Sequence, residues 1–528
     1  MKKIIAFFLI LMLFLFFLFQ CAPPSRGEDG GDEPSPQPNP SNSLWSKRLG
    51  SLDIDCGRSV ATDTNGNVYV TGNVNGHANF DGDFDGADVG GESAIGYGGD
   101  DIFIVKFSSG GTYLWSIRLG GINSDYGYGI TTDSSGNVIV TGSVYGNADL
   151  NGDLDYNDGG ESATGYGSND IFIVKYNSGG ICQWSKRLGG INSDYGYGVT
   201  TDSSGNVIIT GQVDGDADLN GDEDSNDNGE SATGYGDDIF IVKFTSEGTC
   251  QWLKRLGGTG NDYGYDISGY SISTDSSGNV IITGSVYGDV DLNVDGDNND
   301  NGESSTGFDG DDIFIVKFNS GGTYLWSKRL GGIGHEIGYG ITTDSSNNII
   351  ITGAVISNAD FNGDGDSNDE AESTTNIVYD DTFIVKFNSG GIYQWAIRLV
   401  GENIVKGYSI TTDSSKNIIV TGCVFEYADL NGDGDSKDEA ESGADYAKGD
   451  IFIVKFNSIG MHTWSKRLGG IEFDSGYGIT TDLSGKVIAT GFINGDVDLN
   501  GDGWHMSGTA ESAVGYGEDD IFVVKLNN

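Results

Sequence analysis

The chain has 528 residues, with Lys+Arg 28 against Asp+Glu 78 and a formal net charge of −50. At long range such a charge repels nucleic acid phosphates and anionic headgroups, which argues against nucleic acid as a ligand. Gly 87 with only Pro 6 calls for many tight turns between short strands.

Lys2 and Lys3 precede an unbroken apolar run from Ile4 to Phe19, and Cys21 follows at once. A basic segment followed by an apolar one is the pattern of a secretory leader. The arrangement resembles a bacterial lipoprotein signal peptide, in which the cysteine becomes the lipidated first residue of the mature chain. Leu18 fits the motif, whereas Phe19 and Gln20 are larger than the small residues usual there. The alternative is an uncleaved signal anchor, for which the run is short of the ~20 residues that span a bilayer. The resemblance implies a signal peptide at 1–20 and lipidation at Cys21. It also implies export, with the lipid holding the protein in the bacterial outer membrane or at the cell surface. Residues 21–43 are rich in Pro, Ser, Gly, Asp, Glu and Asn, and read as a solvated linker.

From residue 44 to residue 528 one unit of about 69 residues recurs seven times, marked by Trp45, Trp115, Trp184, Trp252, Trp326, Trp395 and Trp464. Within a unit, Trp115 to Leu119 reads as a strand and Gly129 to Asp133 as a second. Ser134 to Asn137 is a tight turn, and Val138 to Val144 is a β-branched third strand. After an acidic loop comes Asp170 to Lys175, apolar on both faces, which requires cover on both sides. Four strands per copy predict an all-β, seven-bladed β-propeller of antiparallel blades, closed by the N-terminal strand pairing in the last blade. The lone tryptophan strand at Trp45 and the lone Ile521 to Val524 strand at the other end supply that closure. In the fourth copy only, the distance from Trp252 to Asp275 is extended, which places an insertion near Tyr265 to Gly269 in a surface loop. The motifs Trp464 to Gly470, Gly478 to Asp482 and Val138 to Gly142 resemble the bacterial SBBP β-propeller repeat. That resemblance implies the fold and carries no activity with it.

Each acidic loop opens 16 residues after the aspartate that ends the second strand. The second copy supplies Asp149, Asn151, Asp153, Asp155, Asp158 and Glu161, and the third Asp218, Asn220, Asp222, Asp224, Asp227 and Glu230. The fourth supplies Asp291, Asn293, Asp295, Asp297, Asp300 and Glu303; the fifth supplies Asp360, Asn362, Asp364, Asp366, Asp369 and Glu372. The sixth supplies Asp429, Asn431, Asp433, Asp435, Asp438 and Glu441. Oxygen side chains at alternate positions of a tight loop suit calcium, which takes six to eight oxygens at about 2.3–2.6 Å. The pattern is similar to EF-hand and dockerin loops and to the calcium loops of integrin α-type propellers. Its closing carboxylate falls at position ten or thirteen rather than nine or twelve. The expectation is several calcium ions, about one per blade, with weaker sites in the first copy (Asp81, Asp83, Asp85) and the seventh (Asp498, Asn500, Asp502). Without metal, these loops would be solvated acidic hairpins.

Propeller connectivity predicts a clipped face of turns and an opposite face of long, acidic, tyrosine-bearing loops, where a ligand would bind. The tryptophans read as packing between blades, and the Lys-Arg pairs after them as blade-edge or carboxylate-paired cations. Cys56, Cys182, Cys250 and Cys423 show no disulfide framework, and no catalytic motif or zinc cluster is apparent. The functional expectation is a monomeric binding or adhesion scaffold for a protein or glycan ligand. An exported polysaccharide hydrolase or lyase and a purely structural envelope protein are the alternatives.

Overall fold

The computed structural model describes residues 43–527 except for positions within 83–96, 157–166, 223–235, 258–267, 299–309, 365–378, 435–447 and 501–516. Cys21 and the leader therefore lie outside the described residues, as does most of the fourth-copy insertion. Seven antiparallel sheets form seven blades, and in the first six the strands follow chain order from the innermost outward. Blade one consists of Cys56–Thr62, Val68–Val74, Asp101–Phe107 and Tyr113–Gly121. Blade seven consists of Ser475–Thr481, Val487–Asn494 and Asp519–Leu526, and its outer strand is Ser43–Leu49 from the other end of the chain. The expected closure is present, with Trp45 opposite Lys525 and Leu49 opposite Ile521.

The third strand of every blade is buried throughout its apolar length, because both its faces pack. The core is accordingly divided among blade interfaces. One cluster joins Ile102 and Ile104 to Val138 and Val140 of the next blade, and another joins Ile521 and Val523 to Val68 and Val70 across the closure. The glycine after the second-strand threonine is required by a close approach. A Cβ on Gly142 would stand 1.9 Å from the Tyr126 carbonyl oxygen, where the inner strand bulges.

Around the axis, one threonine per inner strand donates its hydroxyl to the threonine carbonyl of the preceding blade. Thr132 reaches Thr62, Thr201 reaches Thr132, Thr274 reaches Thr201 and Thr343 reaches Thr274, all at 2.8–3.2 Å. Thr412, Thr481 and Thr62 complete the circuit at 3.1–3.2 Å. The last bond, from Thr62 to the Thr481 carbonyl, crosses the chain closure, so the ring is continuous. On the face of short turns the tryptophans act as latches between blades. Trp184 Nε1 and Lys175 Nζ, both on blade two, donate to the same Ser246 carbonyl of blade three, at 3.0 and 3.2 Å. Lys175 also pairs with Asp133 at 3.0 Å, and the same Lys–Asp pair recurs in all seven blades, Lys106–Asp63 being the longest at 4.0 Å.

Candidate functional site: the long-loop face

The opposite face is built by the acidic loops and by the connections from each outer strand to the next blade. Position one of each loop forms a bridge with the end of the preceding blade's outer strand. Asp149 pairs with Gly120, Asp218 with Gly189, Asp360 with Gly331, Asp429 with Val400 and Asp498 with Gly469, and Asn79 and Asp291 form the equivalent bridges with Gly50 and Gly257. Each loop is thus stitched to its neighbour, a contact that a strand count does not reveal.

Inside the loop, the position-one carboxylate gathers backbone amides. Asp149 accepts from the N–H groups of Asn151, Gly152 and Leu154 at 3.2, 2.6 and 2.8 Å. Positions four and six take left-handed conformations, as at Gly152, Leu154, Gly432 and Gly434. The turn is sharp at the place where EF-hand loops keep their glycine. The position-thirteen glutamate lies beneath, fully buried in Glu161, Glu230 and Glu303 and 1% exposed in Glu372. Its Oε1 accepts from loop amides two and three; for Glu230 these are Leu219 and Asn220, at 3.1 and 3.2 Å. Asn220, Asn293 and Asn362 at position three reach the position-ten carboxylates Asp227, Asp300 and Asp369 at 2.8–3.0 Å. In the loops where they are described, positions one, three, ten and thirteen therefore converge. Asp153, Asp155, Asp222, Asp224, Asp295 and Asp297 are exposed along the turn, whereas Asn362 and Asn431 also donate to Asp364 and Asp433, each at 3.3 Å. Among the described residues no three His, Cys, Asp or Glu side chains stand in metal-holding geometry. Asp83, Asp85, Asp158, Asp366, Asp435, Asp438, Glu441 and Asp502 lie outside the described residues. Glu372 Oε2 is buried without a hydrogen-bond partner among the described residues, leaving one carboxylate oxygen unused inside the loop.

Below the loops lies a layer of buried ion pairs. The second cation of each Lys-Arg motif, or the lone arginine of Ser-Ile-Arg and Ala-Ile-Arg, turns inward onto a third-strand aspartate. Arg48–Asp520, Arg118–Asp101, Arg187–Asp170, Arg255–Asp238, Arg329–Asp312, Arg398–Asp381 and Arg467–Asp450 are 2.6–2.9 Å apart. A second buried acid stands beside most of these pairs. Asp125 accepts from the Gly121 and Tyr145 amides at 2.8 and 2.7 Å, and a Cβ on Gly120 would meet both Asp101 and Asp125 oxygens at 2.8 Å. Burial pushes the Asp125 carboxyl up to about 7 and that of Asp101 to about 7 despite Arg118. Asp474, in the same role, rises to about 8. Between blades five and six the arrangement is relieved by a coupled change, with Val400 in place of the glycine and Val405 in place of the acid. A side chain fits only where the second carboxyl is gone.

The connections also carry an aliphatic ring. Leu52, Ile122, Ile191, Ile333 and Ile471 each sit two residues after the equivalent strand-end glycine and are between 63% and 76% exposed. Beside Ile122, Ile191 and Leu52 the preceding residue is held by a backbone bond: the Gly98 and Gly167 amides donate to the Gly121 and Gly190 carbonyls at 2.9 Å, and Gly517 donates to the Ser51 carbonyl at 3.0 Å. The aliphatic residues' shared place after the strand-end glycine was the available sequence signal. Glu402 takes the position in the sixth copy.

Three stretches of the chain, residues 44–81, 114–147 and 183–216, match the SBBP beta-propeller repeat. Those three stretches carry SBBP propeller repeats. It is 25% identical over 513 residues to an uncharacterized WD repeat-containing protein of Acanthamoeba polyphaga mimivirus, covering 85% of this chain and 36% of that protein. It is 26% identical over 232 residues to the regulatory protein FlaEY of Caulobacter vibrioides, covering 43% of this chain and 22% of that protein. The chain thus spans about a third or less of the length of these relatives. Among solved structures it is similar to the WD40 β-propeller domain of Doa1, at 10% identity, TM-score 0.40, and 92% and 98% coverage of the two chains. It is also similar to Sqt1 from Chaetomium thermophilum, at 9% identity, TM-score 0.37, and 93% and 99% coverage.

Proposed function

We propose that this SBBP propeller is an exported, lipid-anchored interaction scaffold at the bacterial cell surface, whose long-loop face is held in shape by calcium and binds a protein partner. The observation that carries the reading is the set of Leu52, Ile122, Ile191, Ile333 and Ile471, exposed at equivalent places on the face of the acidic loops. Exposed aliphatics at equivalent positions of one face mark an interaction surface, and they suit an apolar protein surface better than the hydroxyls of a glycan. The acidic surround adds a preference for a partner with basic groups at its rim. Calcium enters because positions one, three, ten and thirteen of the loops converge, and because a cation would relieve the repulsion among their carboxylates.

The test is a screen of the full chain against arrayed proteins and glycans, with calcium or with chelator, alongside an Ile122→Asp, Ile191→Asp double variant. The expected result is a protein ligand bound in calcium and lost in the variant. A glycan ligand indifferent to the variant would contradict the reading.

A further inference from the structure

At the inner-strand bulge one residue breaks the seven-fold pattern. In blades two to seven the extra residue of the inner-strand bulge is a tyrosine that faces the axis. Tyr128, Tyr197, Tyr270, Tyr339, Tyr408 and Tyr477 follow one another with ring centroids 5.1–5.6 Å apart. Blade one has Arg58 at the same bulge. Its guanidinium carbon stands 5.4 Å from the Tyr128 ring and 5.9 Å from the Tyr477 ring, closing the circle. A seven-membered ring of that spacing has its members' centres about 6 Å from the axis, too narrow for a folded partner.

Arg58 is only partly satisfied there. Nε donates to Asn73 Oδ1 at 3.2 Å. Among the described residues, no carboxylate pairs with the guanidinium and no acceptor takes the N–H groups of its two terminal nitrogens. This contrasts with Arg48, Arg118, Arg187, Arg255, Arg329, Arg398 and Arg467, each of which is neutralised by an aspartate. Cation–π contact uses the faces of the guanidinium and leaves its edge donors to a ligand. A planar fork of donors in a partly desolvated site matches an oxyanion. The net charge of −50 opposes anions at a distance, but at 0.1 M salt that field is screened within about 10 Å, whereas the fork acts at contact.

We propose that the channel binds a small oxyanion, carboxylate or phosphate, on the Arg58 guanidinium within the tyrosine ring. The Asn73 contact sets the rotation of the fork, and the flanking rings offer stacking surface to a ligand that carries a body as well as a charge.

The full chain in detergent is titrated calorimetrically with acetate, inorganic phosphate and glucuronate at constant ionic strength, with chloride as the control. Saturable binding of at least one of the three is expected. Phosphate without glucuronate indicates a free inorganic ligand, and the reverse indicates an acidic sugar. Arg58→Tyr restores the residue of the other six blades, and its hydroxyl can reach Asn73. It should fold and weaken binding by about tenfold or more. Arg58→Gln, which removes the charge and keeps an amide donor, supplies the same reading if the tyrosine variant does not fold. No saturable heat beyond chloride from any of the three, or equal affinity in the variants, would overturn the proposal.

Discussion

Replacing Arg187 by methionine removes the charge that neutralises Asp170 in a site with no water access. Both side chains are fully buried, with Nε and Nη2 donating to Asp170 Oδ2 at 3.1 and 2.8 Å and Nη1 donating to the Glu161 carbonyl at 3.3 Å. Stripping one partner from such a pair costs about 3–5 kcal/mol, because the remaining charge stays buried and uncompensated. Burial already pushes Asp170 up to about 6 with the arginine present, and Asp194 beside it to about 7. Without Arg187 the Asp170 pKa rises further, so the folded variant takes up a proton that the unfolded chain releases. The variant's deficit against wild type is therefore full at pH 8 and shrinks toward pH 5. Arg187→Met with Asp170→Leu removes both charges and should recover most of the loss. Urea unfolding of the four members of this double-mutant cycle at the two pH values measures it. A single-variant loss under about 1 kcal/mol at pH 8, or a double variant as unstable as the single, would refute the argument.

Four further outcomes are expected. Asp55, Asp101, Asp125, Asp450 and Asp520 are raised to about 7, and Glu336 and Asp474 to about 8. The folded state thus binds more protons than the unfolded one from about pH 4 upward, and melting temperature should fall as pH rises from 5 to 8. Asp125→Asn should flatten that slope, and an unchanged slope would assign the effect to general charge repulsion. Asp63, Asp133 and Asp202 are lowered, chiefly by side-chain and backbone hydrogen bonds that outweigh burial, and their contribution should be lost on acidification below the usual carboxylate range. Deleting residues 43–49 removes the outer strand of blade seven, with buried Leu49 and Arg48, and should lower stability by several kcal/mol; thermal unfolding unchanged by the deletion would contradict closure. Cys21→Ala should release the chain from the detergent phase, and a variant that still partitions there at full precursor mass would identify an uncleaved anchor instead.

The architecture was legible because the repeat imposes it. The two-faced apolar run in Asp170 to Lys175 required cover on both sides, and the unmatched strands at Trp45 and Ile521 required closure. The latch role of the tryptophans was legible for the same reason, since identical surroundings imply one structural task. The loop layer was less legible. Arg187 and Arg329 read in the sequence as blade-edge or carboxylate-paired cations, and the fold selects the pairing by placing Asp170 and Asp312 opposite them. The paired carboxyls at Asp101 and Asp125 are separated by a whole strand and turn, so no local pattern links them. Arg58 was visible only as one exception to a tyrosine column, and its meaning needed the ring to be closed around it.

Calcium counting on the full chain tests the central claim most directly, since the proposed binding face is built from the acidic loops. Native mass spectrometry and calorimetry should find several tightly held calcium ions, about one per blade, with a melting temperature that rises in calcium more than in magnesium. Glu372→Gln keeps an Oε1 acceptor for the Phe361 and Asn362 amides and removes the charge, so it should lose one ion while the fold persists. A chain that binds no calcium, or that responds equally to magnesium, would contradict the account.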